Sequence, residues 1–315
     1  MQQSRKAVFV VRHLLPLRYI DAVVRAGSIR RAAEALSITS TALNRRILAI
    51  EEELGVPIFE RLPRGVRLST AGEILIQHVR SQLSDMERVK SQIADLSGVR
   101  RGHISIACSQ SVMPVFLPEQ IAIYRREHPA VTFQVYRRDR EAAEQALTDH
   151  SADLALVFEP VRLAEFDTLI AVEQPLHAIM SRRHPLARQQ TVRLRECLRY
   201  PVAIPTHHYG VRAVLEASLQ RSSMKLQPVI ESDSFEFLRH YVRQKDAISF
   251  QIPIGVAGDG HRGEDVSRPL DQRDVKPGVL YVGQLRGRAL PVAVSRFAAQ
   301  IAAALAKRFD EAATR

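Results

Sequence analysis

The stretch SITSTALNRRI, residues 37–47, passes from small polar residues into a helical pattern bearing two adjacent arginines. A helix beginning at Ser40 and stopped by Gly55 and Pro57 would set Leu43, Ile47, Ile50 and Leu54 at steps of four, three and four, on one buried face. Thr41, Asn44, Arg45 and Leu48 then share the opposite face, with Ser40 at the exposed N-terminus. Upstream, Leu17, Ile20, Val23 and Val24 recur at helical spacing until Gly27. Ser28 offers an N-cap for IRRAAEAL, whose Ile29, Ala32, Ala33 and Leu36 form a second apolar stripe. Two helices joined by a short turn, the second alanine-rich and the next one polar on its outer face, describe a helix-turn-helix. A guanidinium can bond a guanine edge bidentately, a carboxamide an adenine edge, and hydroxyls or a helix N-terminus a phosphate. The alternative for an isolated arginine pair is a solvated helix face.

VPIFERLPRGVRLST follows, and Val66 and Leu68 alternate with Arg67 beyond a Pro63-Arg64-Gly65 turn. This predicts a two-stranded wing with Arg61, Arg64 and Arg67 toward the phosphate backbone or a minor groove, the alternative for each being a solvated turn. Charge agrees: residues 1–70 hold 12 Lys/Arg against 6 Asp/Glu, so over half of the chain's +11 lies in its first quarter. A basic head that meets a polyanion and a larger body with another task are expected.

GSIRRAAEAL, TSTALNRRI, IEEELGVPIFER and LSTAG together resemble the winged helix-turn-helix of LysR-type transcriptional regulators, whose corresponding patterns are GSxxxAAxxL, SQPALSxQI, LExxLGxxLFxR and LTxAG. Departures fall on the reading helix: Ser40 replaces a frequent Gln, Thr41 a frequent Pro and Asn44 a frequent Ser. Position therefore carries over, but base preference does not. The candidate contacts to double-stranded promoter DNA are Ser28, Arg30, Arg31, Thr39, Ser40, Thr41, Asn44, Arg45, Arg46, Arg61, Arg64 and Arg67.

Thr70 and Glu73 read as a capping box opening a long helix to about Leu96. Ile76, Val79, Leu83, Met86 and Ile93 form a narrow stripe at alternating three- and four-residue steps, with Lys90 in the missing place. A second copy of the chain is the expected partner, packing against the protein's own head the rival. The resemblance favours a homodimer through this helix and implies tetramers.

Beyond Gly102 short strands alternate with helices: HISIAC, VTFQVY and ADLALVF, with helices around Val112–Arg126 and Glu141–His150. AIMS, PVAIP, PVIES and AISFQI suggest a second lobe, and GVLYVG with a helix over Pro291–Phe309 closes the first. AGDGHRGED, 257–265, reads as a surface loop without a dinucleotide fingerprint. The fold class is α+β and multi-domain: a winged helix-turn-helix over 1–70, a linker helix over 71–98 and a two-lobed α/β effector-binding unit over 99–315. Lobe I takes 102–172 and 275–315, lobe II 173–274. The two-lobed unit resembles the family's effector domain, itself similar to periplasmic binding proteins.

By position, the family's effector cleft implies Ser109, Gln110, Ser111, Arg137, Arg138, Pro205, Thr206, His207 and His208. Hydroxyls, backbone N–H groups and arginines suit an anion, and a small carboxylate is the expected effector. Each arginine is alternatively a solvated side chain, the two histidines an ordinary loop pair. No third ligand accompanies them, so neither metal nor cofactor is expected. Cys108 and Cys197 have no metal-ligand or CxxC spacing and read as reduced thiols. AVFVVRHLLPL is interrupted by Arg12 and His13, and no run approaches a bilayer span, so a cytoplasmic location is expected. GxSxG, Walker and HExxH motifs are absent, which disfavours catalysis. An enzyme with a DNA-binding head and a plain small-molecule binder stay as other readings. RNA polymerase stays open as a further partner.

Overall fold

The computed structural model describes residues 12–96, 102–162, 164–220, 224–244, 246–256 and 264–310. Two compact units divide between Lys90 and Ser91.

In the head, α1 (Leu15–Ala26) carries a proline in its first turn and ends at Gly27, whose φ of +60° lets its N–H cap the carbonyls of Val23 and Val24. α2 (Ile29–Ala35) presses Ala32 and Ala33 inward, and α3 (Ser40–Leu54) buries Leu43 and Ile47. β1 (Phe59–Leu62) and β2 (Gly65–Leu68) pair antiparallel, with Arg61 opposite Val66 and Leu62 opposite Gly65. Glu51 of α3 sets the start of this hairpin, its carboxylate accepting from the N–H groups of Ile58 and Phe59 at 2.7 and 3.0 Å. The hairpin leans on the α1–α2 turn. Val66 N donates to Gly27 O at 3.1 Å, and a Cβ on Gly65, at φ +142°, would lie 2.4 Å from that same oxygen.

α4 (Thr70–Leu96) follows. Ser69 is its cap, with Oγ accepting from Gly72 N at 3.0 Å, where Thr70 was expected, because the chain is already helical at Thr70. Ile76 and Val79 are 4% and 0% exposed and belong to the head's core with Tyr19, Ile20 and Ile47. Asp21 holds Arg25 at 2.7 Å and Arg80 of α4 at 3.2 Å. Leu54, expected inside, is 47% exposed, because α3's last turn runs past the core.

The second unit opens with β3 (Gly102–Cys108), α5 (Phe116–Glu127), β4 (Val131–Arg137), α6 (Arg140–Thr148), β5 (Leu154–Phe158) and β6 (Phe166–Gln174). The helix expected from Val112 begins at Phe116, since Gln110–Val112 forms a separate 3-10 turn. The chain then builds β7 (His177–Ser181), α7 (Leu194–Cys197), β8 (Val202–Pro205), α8 (Gly210–Leu219), β9 (Pro228–Ser232), α9 (Phe235–Gln244), β10 (Ser249–Gln251) and β11 (Asp265–Pro269). It returns through β12 (Gly278–Leu285) and ends in α10 (Val292–Asp310). The first lobe's sheet has the order β4-β3-β5-β12-β6, with β3 parallel to β4 and β5, and β12 antiparallel to β5 and β6. The second lobe holds β10-β7-β11 and the parallel pair β8-β9. β11 begins inside the segment expected to be loop, and residues 257–263 of that segment lie outside the described residues.

Two polar features lock the lobes internally. Arg288 bonds Asp153 at 2.8 Å while Asp153 also accepts from the N–H and hydroxyl of Ser105. Asp265, at the head of β11, holds Arg239 and Arg243 of α9 at 2.6 and 2.7 Å. His184, in contrast, is buried against Tyr200, accepts from Leu186 N through Nδ1, and leaves Nε2 unpartnered. Burial pushes its pKa below the ordinary histidine value, against the pull of Asp246. A lowered folded pKa means the unfolded chain takes up the proton first, so stability is complete above about pH 6.5 and falls as pH drops below it. The urea midpoint of the effector unit should therefore fall between pH 7.5 and 5.5, and His184→Gln should flatten that slope.

Candidate nucleic-acid interface and effector cleft

The outer face of α3 is built from its inner one. With Leu43 and Ile47 fixed in the core, Ser40, Thr41 and Arg45 are exposed. Thr39 is the N-cap, its hydroxyl accepting from Ala42 N at 3.2 Å, so it shapes the helix start as well as standing at it. Arg45 and Arg64 have no ion-pair or hydrogen-bond partner among the described residues, and both are exposed. Asn44 is half-buried and its Oδ1 accepts from Arg61 Nη2 at 2.9 Å, which links helix to wing.

Not all expected contacts are uncommitted. Arg46 is exposed, yet its guanidinium lies 4.9 Å from the Tyr19 ring centroid and bonds the phenol oxygen. It fastens α3 to α1, a task Arg45 does not share. Arg67 pairs with Glu60 across the wing at 2.6 Å, and Arg30 with Glu34 one turn on at 3.7 Å. Both pairs are exposed, so a phosphate can displace the carboxylates at small cost. Ser28 occupies the cap position of α2 without a side-chain cap bond, which leaves its hydroxyl for another acceptor. Arg31 is exposed in the first turn of α2.

On α4, burial of Ile76 and Val79 in the head removes them from any surface a second copy could meet. The expected stripe conflated two faces. Leu83 and Met86 are half-buried, and Ile74, Val89 and Ile93 are 75%, 36% and 58% exposed. Lys90 bonds Glu87 at 2.8 Å.

In the effector unit, residues from both lobes meet at the strand ends. Gln110 Oε1 accepts from Phe235 N, at the N-terminus of α9, at 3.0 Å. Arg137 donates to the carbonyl of Asp233 at 3.4 Å, with its carboxylate 3.9 Å away, and Tyr209 Oη donates to the same carbonyl at 3.1 Å. Burial pushes the Tyr209 phenol up while Arg137 pulls it down, with a net rise, so the hydroxyl stays a donor at neutral pH. Ser111 is 1% exposed, and its Oγ is buried with no hydrogen-bond partner. Ser109 accepts weakly from Ser111 N at 3.5 Å. Arg138 folds back over Tyr136, 5.1 Å from the ring centroid, and bonds the Arg137 carbonyl.

Pro205 is a buried strand end with no N–H to offer, and Thr206 N is bound to Ser232 O at 3.2 Å. His207 and His208 are exposed and stack on each other with centroids 3.9 Å apart. Asp233, Tyr209 and the Phe235 N–H were missed. The run SDSF, 232–235, is a helix-cap signature that could have flagged them, because Ser234 Oγ accepts from Phe237 N. Cys108 and Cys197 are buried, and burial pushes both thiols up to about 12, so neither offers thiolate at neutral pH. Among the described residues no cluster of His, Cys, Asp and Glu could hold a metal, and no helix is long and apolar enough to cross a membrane.

Residues 14–73 match the bacterial regulatory helix-turn-helix protein, lysR family, and residues 97–306 match the LysR substrate binding domain. The HTH-type transcriptional activator CmpR of Synechocystis sp. is 24% identical over 255 residues, covering 81% of this chain and 82% of that protein. The RuBisCO operon transcriptional regulator of Allochromatium vinosum is 27% identical over 230 residues, 73% and 76% of the two chains. A full-length OxyR from Pseudomonas aeruginosa, carrying a cysteine-to-aspartate substitution, superposes with a TM-score of 0.72 at 21% identity, over 91% of this chain and 94% of that one. CbnR complexed with its target DNA gives 0.62 at 16% identity, over 91% and 98%. These two structures support the fold. Since the two family matches cover nearly all of the sequence between residues 14 and 306, the chain belongs to the LysR family and is a DNA-binding transcriptional regulator, not an enzyme.

Proposed function

We propose that the protein is a one-component switch, in which α3 enters the major groove of promoter DNA, α4 joins two copies, and a small carboxylate in the effector cleft changes how the assembled heads grip DNA. The outward face of α3 supports the first part: Ser40, Thr41 and Arg45 stand exposed opposite Leu43 and Ile47. Arg31, Arg61, Arg64 and Arg67 flank that face as phosphate contacts, at the start of α2 and on the wing. For dimerisation the eligible side chains are Met86, Val89 and Ile93, at steps of three and four, since the start of the helix is committed to the head. A dimer implies two half-sites with two-fold symmetry. Pairs of dimers and contact with RNA polymerase extend the same reading.

The cleft supports an anion. Arg137, the Tyr209 hydroxyl and the α9 N-terminus converge on groups supplied by the chain itself, Asp233 and Gln110. A carboxylate taking their place would gain charge-assisted bonds from Arg137 and the Phe235 N–H. It would bias the switch only by its difference in affinity between the two arrangements of the lobes.

Fluorescence anisotropy on the DNA upstream of the protein's own gene and on scrambled DNA, across a salt series, tests the switch. Selective binding to an imperfect dyad is expected, altered by one member of a panel of small carboxylates. Arg45→Ala should lose about 1–3 kcal/mol on the specific site and little on scrambled DNA. Equal, purely salt-driven binding to both DNAs, for this and other promoters, would remove the reading.

A further inference from the structure

Besides the Glu51 carboxylate's bonds to the backbone at the start of the wing, a side chain–side chain bond joins wing and recognition helix, from Arg61 Nη2 to Asn44 Oδ1 at 2.9 Å. An asparagine amide has one acceptor oxygen and two N–H donors. To read adenine it needs both ends at once, its oxygen accepting from the N6 amino group while its nitrogen donates to N7. Here the oxygen already carries a guanidinium. The oxygen keeps a second lone pair, but the positive charge beside it repels the amino hydrogens of adenine and so favours the amide nitrogen as the end Asn44 offers. Its neighbour Arg45, exposed and without a partner among the described residues, also has donors only. An edge made of donors fits a base edge made of acceptors, and guanine presents two, N7 and O6.

Resting on the assignment of α3 to the major groove, we infer that Arg61 sets the base preference of Asn44, converting a side chain suited to adenine into a donor that selects guanine. Arg61 acts as a positioning residue. It fixes which end of the amide faces the base while its remaining N–H groups stay available to a phosphate. Asn44 departs from the family pattern, whereas Arg61 stands on that pattern's closing arginine, so the pairing arises on the helix side.

Selection of binding sites from a randomised duplex pool, using the full chain, tests this with wild type, Asn44→Ala, Arg61→Ala and Arg45→Ala. Wild type should prefer guanine over adenine by about tenfold or more at one position of each half-site. Asn44→Ala should abolish that preference, and Arg61→Ala should admit adenine at that position alone. Loss of a phosphate contact would weaken Arg61→Ala on all sequences alike without reordering the bases, so the ranking is the readout. Adenine at the position that Asn44→Ala erases, or an unchanged ranking in Arg61→Ala, would overturn the inference. If Asn44→Ala shifts no position while Arg45→Ala shifts one, the inference fails and the groove assignment stands. If neither shifts any position, both fail.

Discussion

Asp265→Asn should destabilise the effector unit by about 3–5 kcal/mol, seen as a lower urea midpoint with an unchanged slope. The carboxylate is 2% exposed in its side chain and lies between Arg239 and Arg243. Burial pushes it up, but the hydrogen bonds and charges of the two arginines outweigh that and hold it below the usual carboxylate range. Removing the charge leaves the Arg239 and Arg243 guanidinium groups beside the α9–β11 seam without the carboxylate that pairs them. A loss of this size is a large share of the about 5–15 kcal/mol that stabilises a typical domain. Replacing all three residues together, Asp265→Leu with Arg239→Met and Arg243→Met, should restore most of the stability, because no unpaired charge remains. A triple variant as weak as Asp265→Asn would show that the cluster contributes through its shape and not its charge balance.

Ile47→Ala should cost about 2–5 kcal/mol in the head and remove specific DNA binding. Ile47 is 1% exposed and packs in a small core with Leu43, Ile20 and Val79. It is also the residue that turns Asn44 and Arg45 outward, so a cavity beneath it loosens the orientation of both. Thermal unfolding followed with anisotropy on the selected site would record both losses. Leu54→Ala, on the same helix but 47% exposed, should stay within about 0.5 kcal/mol of wild type. If the two variants behave alike, the burial of α3 does not govern the head.

The head was largely legible because its rules are local. Gly27 and Gly55 end two helices, and the boundaries of α1 and α3 follow from them and from the helical pattern that opens at Ser40. The three- and four-residue stepping inside α4 could show that two apolar faces were possible but not which partner each would meet. That choice depends on Asp21 and Tyr19, about sixty residues away in the chain, and it went to the head. The cap shifted from Thr70 to Ser69 for a similar reason, since Ser69 Oγ is also drawn to the Pro57 carbonyl at 2.6 Å. At the candidate cleft the contacts between the lobes were not legible. Its first-lobe residues follow a strand end in sequence, whereas Asp233 meets Arg137 across 96 residues through a fold that no spacing encodes.

The hairpin's seat on the α1–α2 turn has a consequence for how such a protein changes over generations. Its hold is backbone on backbone, Val66 N to Gly27 O, with Gly65 pressed against the same carbonyl. A side chain at Gly65 would part the two segments and one at Gly27 would strain the turn at φ +60°, yet no arginine of the wing takes part in the seat. The fold of the hairpin and its charge are therefore separable. Arg61, Arg64 and Arg67 can be exchanged without loosening the seat, while two positions that carry no side chain hold the hairpin against the turn.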